Sequence, residues 1–288
     1  MLIPYRGRSA ADDPRYKPIG VSMAVPVMCW IGMRIQIIHA TAGSVRMIHY
    51  HGGRHSTQLV AVEIWKRRHA LVSFADPGQL PIASEVTQSF ALDNGAFSVW
   101  KRGGAIDWNR YYGWVEEWMR HPGFDWAIIP DVIEGAEVEN DELVAAWPLP
   151  PHVGVPVWHM HESIERLRRL CESWQRVAIG SSGKYSVPGT ARWWQRMAQA
   201  MEAICENGRP ITKLHGLRML RPSLYEHLPL ASADSAGASR GVGTTNWGGA
   251  YRSASDVVKA LVLVDSYESR QPAAVWTGIP EQRELFAC

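Results

Sequence analysis

Cysteine is scarce in this sequence, and its spacing excludes two common kinds of site. The four cysteines stand at positions 29, 171, 205 and 288, so no two of them form a Cys-x-x-Cys pair. This spacing excludes a Cys-x-x-Cys zinc or redox site and supplies no framework of disulfides. We therefore expect a reducing, cytoplasmic location.

Long apolar runs are also lacking. No run reaches the roughly 18 residues that a membrane-spanning helix needs, so we expect no membrane association. The apolar stretch from Val21 to Met33 follows several basic residues and faintly resembles a signal peptide. Arg34 and the lack of a disulfide framework argue against export. Residues 1–46 are instead expected to form an N-terminal extension that is disordered or packs loosely.

Neither sign of charge dominates the chain. The net charge of +2 is too small to indicate a surface coated with nucleic acid, so any polynucleotide contact must come from a local patch. The hydrophobic fraction of 46% and the charged fraction of 20% are ordinary for a chain that buries a large core.

Short apolar runs alternate with longer amphipathic ones from Met47 onward. Eight runs read as strands, and a helical segment follows nearly every one. The predicted strands are Ile48–His51, Ala70–Ala75, Ser89–Leu92, Trp126–Pro130, Val153–Trp158, Arg176–Ile179, Ile211–Leu214 and Leu230–Ala233. This pattern predicts an α/β protein, and the count of eight favours a closed (β/α)8, or TIM, barrel over residues 47–288 as a single catalytic domain.

Polar residues follow several of these strands, where a barrel enzyme places its catalytic groups. Asp93, Asp131 and Asp234 follow three well-separated strands in Gly- or Ser-rich settings, whereas Asp76 precedes Pro-Gly and is assigned to a turn. Two converging carboxylates suit retaining glycosyl transfer, in which one attacks the anomeric carbon and the other exchanges a proton with the leaving group. A third carboxylate could bind the N–H edge of a purine-like base. The Gly-Ser-Ser-Gly run at 180–183 would let the backbone approach a ligand closely.

A metal is the competing use of these strand ends. His159 and His161 lie on the same side of a strand, and His215 with Asp234 could complete the site of a metal-dependent hydrolase. The histidines could equally line a pocket as hydrogen-bonding residues, which is the prediction we favour.

The strand ends resemble those of one enzyme family. The segments Leu92–Phe97, Ile129–Asp131, Ala178–Gly183, Leu214–Leu217 and Ser232–Ser235 occur in the order used by tRNA-guanine (queuine) transglycosylases. They look most similar to the shorter phage and bacterial relatives, the 7-deazaguanine DNA transglycosylases. The resemblance covers roughly residues 47–265.

The resemblance implies a role for each strand end. Asp234 matches the nucleophile that attacks C1′ of the target nucleotide, and Asp93 matches its acid/base partner. Asp131 would bind the base. Further base contacts are implied for Asn94, Gly95, His159, His161, Gly180, Ser181, Ser182 and His215. The implied reaction replaces guanine with a 7-deazaguanine such as preQ0, with no cofactor.

Two departures from the family limit what the resemblance implies. The Cys-x-Cys-x-x-Cys zinc site of the tRNA enzymes is missing, so we expect no metal and favour DNA over tRNA. The segment after Asp93 also lacks the family's Gln, which leaves the base specificity open. The residues give no oligomeric state, and a homodimer is possible by the resemblance, since the tRNA enzymes often pair.

Nucleic-acid contacts are predicted near the same rim. Arg218, Arg221 and Lys184 are candidates for phosphate pairing, and Trp247 is a candidate for base stacking. Three other functions remain open: a tRNA-modifying enzyme, a metal-dependent hydrolase, and a barrel that binds purines or DNA without chemistry.

Overall fold

The computed structural model describes residues 47–244, 253 and 255–280. The predicted extension over residues 1–46 and the predicted stacking residue Trp247 lie outside the described residues. None of the helices in the described ranges combines the length and apolarity required to span a membrane.

Eight parallel strands pair all the way round a barrel, as predicted. Each strand pairs with its neighbours in chain order, and the last strand pairs with the first. The strands are β1 Ile48–Gly52, β2 His69–Ser73, β3 Ser89–Asp93, β4 Phe124–Ile128, β5 with segments Gly154–Val155 and Val157–His159, β6 Arg176–Gly180, β7 Lys213–Gly216 and β8 Ser232–Ser235.

Pro156 divides β5 into its two segments. Proline has no N–H to donate to a neighbouring strand, so the ladder is interrupted there. The first segment pairs with β4 and the second with β6, so β5 still closes the barrel.

Helices follow the strands and cover the outside of the barrel. They are α1 Gln58–Trp65, α2 Leu80–Val86, α3 Ala96–Trp100, α4 Trp108–Trp118, α5 Glu137–Ala145, α6 Ile164–Ser173, α7 Ala191–Ile204, α8 Pro222–Tyr225, α9 Gly237–Thr244 and α10 Asp256–Tyr267. Thr57, Ser163, Thr190 and Ser255 each cap a helix by accepting a hydrogen bond from the backbone N–H three residues on.

The alternation of side chains along the strands determines which residues face the barrel interior. One cluster fills the barrel interior: Tyr50, Leu71, Ala91, Trp126, Ile128, Val155, Val157 and Ala178. Because side chains two residues apart face the same way in a strand, the next inward positions toward the C-terminal ends are Ser73, Asp93, His159 and Gly180. The candidate site therefore forms the polar top of the interior.

Candidate active site

Asp93 stands at the end of β3, at the edge of the interior. Its Oδ2 accepts a hydrogen bond from the N–H of Gly95 at 3.2 Å, and the Ser73 side chain also binds this carboxyl group. Burial, together with the charges of Asp234 and Asp131, raises the pKa of Asp93 to about 7 against these hydrogen bonds. Asp93 therefore holds a proton in a large fraction of molecules at neutral pH. The charges of Asp131 and Asp234 thus both reach Asp93, which places the three carboxyl groups in one electrostatic site.

Asp131 is buried and has a neighbour at each carboxylate oxygen. Asn94 Nδ2 donates to Asp131 Oδ1 at 2.6 Å, and His159 Nε2 lies 2.8 Å from Asp131 Oδ2. Asn94 itself is fixed because its Nδ2 also donates to the carbonyl of Ile129 and its Oδ1 accepts from the N–H of Ala96. These contacts place Asp131, Asn94 and His159, all predicted as base contacts, in one polar group.

Asp234 lies on β8, with a side chain that is only 9% exposed. Its Oδ1 accepts a hydrogen bond from the backbone N–H of Arg218 at 2.8 Å, and His215 Nε2 lies 3.4 Å from the same oxygen. The predicted nucleophile is thus held from two directions by residues at the end of β7.

His215 is completely buried behind Asp234. Its Nδ1 lies 2.9 Å from the Ser232 hydroxyl, to which Arg176 Nη1 also donates at 3.2 Å. Burial lowers the pKa of His215 despite the opposing effect of Asp234, so the imidazole is neutral at pH 7. Because His215 has no exposed surface, we interpret it as a positioning residue for Asp234, whereas the resemblance implied a substrate contact.

The loop after β5 rests on a buried polar scaffold that sequence reasoning missed. Glu162 accepts hydrogen bonds from the His159 N–H, Asn140 Nδ2 and Arg166 Nη1, at 2.7 to 2.8 Å. Asn140 also binds both backbone groups of Val132, which follows Asp131. The scaffold therefore connects the two strand ends that carry Asp131 and His159. The four-residue spacing of Glu162 and Arg166 was the one signal of it in the sequence.

The other residues predicted after β5 and β6 differ from one another in exposure and in their contacts. His161 is exposed, with Nδ1 2.7 Å from Ser182 Oγ and Nε2 3.0 Å from the Gly135 carbonyl. Ser181 Oγ accepts a hydrogen bond from Trp193 Nε1, so its hydroxyl is engaged with α7. A Cβ at Gly180 would lie 3.1 Å from His159 Nδ1, which explains why glycine fits there.

Of the three predicted phosphate contacts, Arg218 is the one that reaches the carboxylates. It has a positive φ of 57°, and its guanidinium carbon lies 3.9 Å from the centre of the Phe97 ring. Lys184 is exposed and lies over the Tyr185 ring, and Arg221 is exposed at the start of α8. Phe97 was not predicted, because nothing in the spacing of α3 indicates which of its side chains faces the site.

The proposed metal ligands do not converge. The metal alternative requires His159, His161, His215 and Asp234 to share one ion. His215 does lie beside Asp234, but the ring nitrogens of His159 and His161 contact Asp131, Ser182 and the Gly135 carbonyl instead. Within the described ranges, no three His, Cys, Asp or Glu side chains are grouped as a metal would require.

Comparison with known proteins gives little beyond the fold. The sequence matches no protein-family model and no functionally curated protein. A protein assigned as a fructose-1,6-biphosphate aldolase from Coccidioides immitis is 12% identical, covering 81% of this chain and 91% of that chain, with a TM-score of 0.47. Tryptophan synthase from Pyrococcus furiosus is 12% identical, covering 78% and 96% of the two chains, with a TM-score of 0.42. Tryptophan synthase from M. tuberculosis is 11% identical, covering 81% and 96%, with a TM-score of 0.44. Similarities this weak carry no information about the reaction.

Proposed function

We propose that this chain is a base-exchange transglycosylase that replaces guanine with a 7-deazaguanine in DNA. The observation that carries the proposal is that one site holds two carboxyl groups with different surroundings. Asp93 has a pKa of about 7 and can carry a proton, while Asp234 on β8 is fixed by the Arg218 N–H. A proton donor and a fixed carboxylate are the two groups that retaining glycosyl transfer needs.

The reaction proceeds by two displacements at C1′ of the target nucleotide. In the first, Asp234 attacks C1′ and the bond from C1′ to guanine N9 breaks, while Asp93 gives its proton to the departing base. In the second, the incoming 7-deazaguanine gives a proton to Asp93 and its ring nitrogen attacks C1′, which releases Asp234. Each displacement inverts C1′, so the product keeps the original configuration.

The group around Asp131 suits recognition of the base. A guanine-like edge presents a ring N–H and an amino group, and a carboxylate accepts hydrogen bonds from both. Asp131 is already oriented by Asn94 and His159, and the scaffold of Glu162, Asn140 and Arg166 holds the loops on either side. This arrangement lowers the cost of ordering the site when the base binds.

Incorporation of labelled preQ0 into DNA and, separately, into tRNA tests the proposal. We expect the wild type to label DNA, Asp234→Asn to abolish labelling, and Asp76→Asn to leave it unchanged. Asp76 is a matched control, because it also follows a strand but lies at an exposed turn. Labelling of tRNA instead of DNA would show that the same chemistry acts on tRNA. Binding without labelling of either nucleic acid would select a non-catalytic barrel, and activity that a chelator abolishes would select a metal-dependent hydrolase.

A further inference from the structure

Trp100 is an exposed aromatic side chain at the rim of the candidate site. It is the last residue of α3, the short helix that begins directly after Asn94 and Gly95, and 46% of its surface is exposed. The other large hydrophobic side chains that are exposed within the described ranges are aliphatic. Single exposed hydrophobic side chains are ordinary on a protein surface, so Trp100 gains its interest from its neighbours.

A row of flat groups connects Trp100 with the carboxylates. The Trp100 and Phe97 ring centres are 5.8 Å apart, and the Arg218 guanidinium lies on Phe97 at 3.9 Å. The backbone of Arg218 in turn binds Asp234. Trp100 is therefore the outermost member of a row that begins at the predicted nucleophile.

Two cations directly follow Trp100 in the chain. Lys101 and Arg102 are both exposed, and Arg102 Nε donates to the Ser98 carbonyl. Neither side chain forms an ion pair with a carboxylate anywhere in the described ranges. Unpaired cations beside an exposed aromatic ring are complementary to a polynucleotide, which presents phosphates and flat bases at regular intervals.

We propose that Trp100, Lys101 and Arg102 form a contact surface for the nucleic-acid strand that carries the target nucleotide. A base next to the target stacks on Trp100, and the phosphates on either side of that base pair with Lys101 and Arg102. This inference rests on the proposed function, and it assigns the strand contact to α3. It is independent of Trp247, the stacking residue predicted from the sequence.

Binding of a fluorescently labelled single-stranded DNA oligonucleotide to the full chain, measured by anisotropy at several salt concentrations, tests the surface. Trp100→Ala should weaken binding about tenfold or more, and Trp100→Phe should restore most of the loss because it keeps a stacking face. Lys101→Ala combined with Arg102→Ala should lower the slope of log affinity against log salt by about 1.4, since each lost phosphate contact to a single strand removes about 0.7.

Arg120→Ala combined with Arg209→Ala provides the matched control. Both arginines are exposed and precede β4 and β7, so they lie at the opposite end of the barrel. This variant loses the same charge and should keep both affinity and salt slope. Equal salt slopes for the two double variants, or unchanged binding by Trp100→Ala, would overturn the inference, as would a wild type that binds no oligonucleotide.

Base exchange is measured on the same proteins, so the two proposals fail separately. Exchange by the wild type with no effect of the α3 variants on binding would leave the proposed function standing without this surface. Binding that depends on Trp100 but is accompanied by no exchange would support the surface and overturn the proposed function.

Discussion

Burial and two neighbouring carboxylates all raise the pKa of Asp93, and the raised pKa affects the stability of the fold as well as the chemistry. The pKa of Asp93 is about 7 in the folded chain, against an ordinary value of 3.8. The folded state therefore binds more protons than the unfolded state between these two values. The contribution of Asp93 to stability is most favourable below about pH 4 and is lost as the pH rises to about 7.

Replacing Asp93 by asparagine should remove this loss of stability with rising pH. We expect Asp93→Asn to be more stable than the wild type at pH 8, by up to about 4 kcal/mol, with the difference shrinking toward pH 4. Urea denaturation at a series of pH values measures it. The exposed Asp76→Asn should follow the wild type throughout, and a difference for Asp93→Asn that does not vary with pH would contradict the account.

At the residue scale, the sequence indicated which carboxylates converge but not what holds them. Asp93, Asp131 and Asp234 could be predicted because each lies near the C-terminal end of a buried strand. Ser73 and Arg176 could not, because their roles depend on partners that adjoin them only after the barrel closes. The role of Glu162 was also missed, because Asn140 reaches it across 22 positions of sequence. Arg176, for example, reaches Ser232 across 56 positions of sequence.

At the level of the elements, the turn from β3 into α3 is tightly constrained. Gly95 has a positive φ of 79°, and a Cβ there would lie 2.8 Å from the backbone nitrogen of Ala75. An L-residue would be strained by both its conformation and this collision. The same turn fixes Asp93 and Asn94, so its geometry sets the position of two candidate site residues.

Gly95→Ala should therefore destabilise the fold by about 2 kcal/mol or more. Gly113→Ala is its counterpart, because Gly113 lies in α4 and a Cβ there meets no atom within 4 Å. That variant should gain up to about 1 kcal/mol from helix propensity. Thermal or urea denaturation of both variants measures the difference, and an equal effect of the two substitutions would be inconsistent with a constrained turn.

Long periodic elements were more predictable than some of the shortest ones. The helices α4 and α6 are long enough to bury one face in a helical repeat, and Ser163 caps α6. In contrast, α3 has five residues, too few for a helical period to be recognised. The hairpin of Cys205–Glu206 and Arg209–Pro210 was also missed, because strands of two residues carry no alternation.

At the scale of the whole molecule, closure of the barrel is what makes the separate strand ends a site. Residues from β3, β4, β7 and β8 are far apart in the chain, and each contributes one side of the same polar group. The eight strands could be predicted from their spacing. The division of β5 at Pro156 could not be predicted, because it depends on which neighbouring strand each half of β5 pairs with.

Base exchange by two displacements requires a covalent bond between Asp234 and the target nucleotide, which intact-protein mass spectrometry can detect. Wild type, Asp234→Asn and Asp76→Asn are incubated with a guanine-containing DNA oligonucleotide without an incoming base, then denatured. We predict an added mass of one oligonucleotide from which guanine has been lost, in the wild type and in Asp76→Asn. It should be absent from Asp234→Asn and should disappear from the wild type when preQ0 is supplied. An adduct that persists in Asp234→Asn, or a wild type that exchanges the base without forming one, would contradict the account.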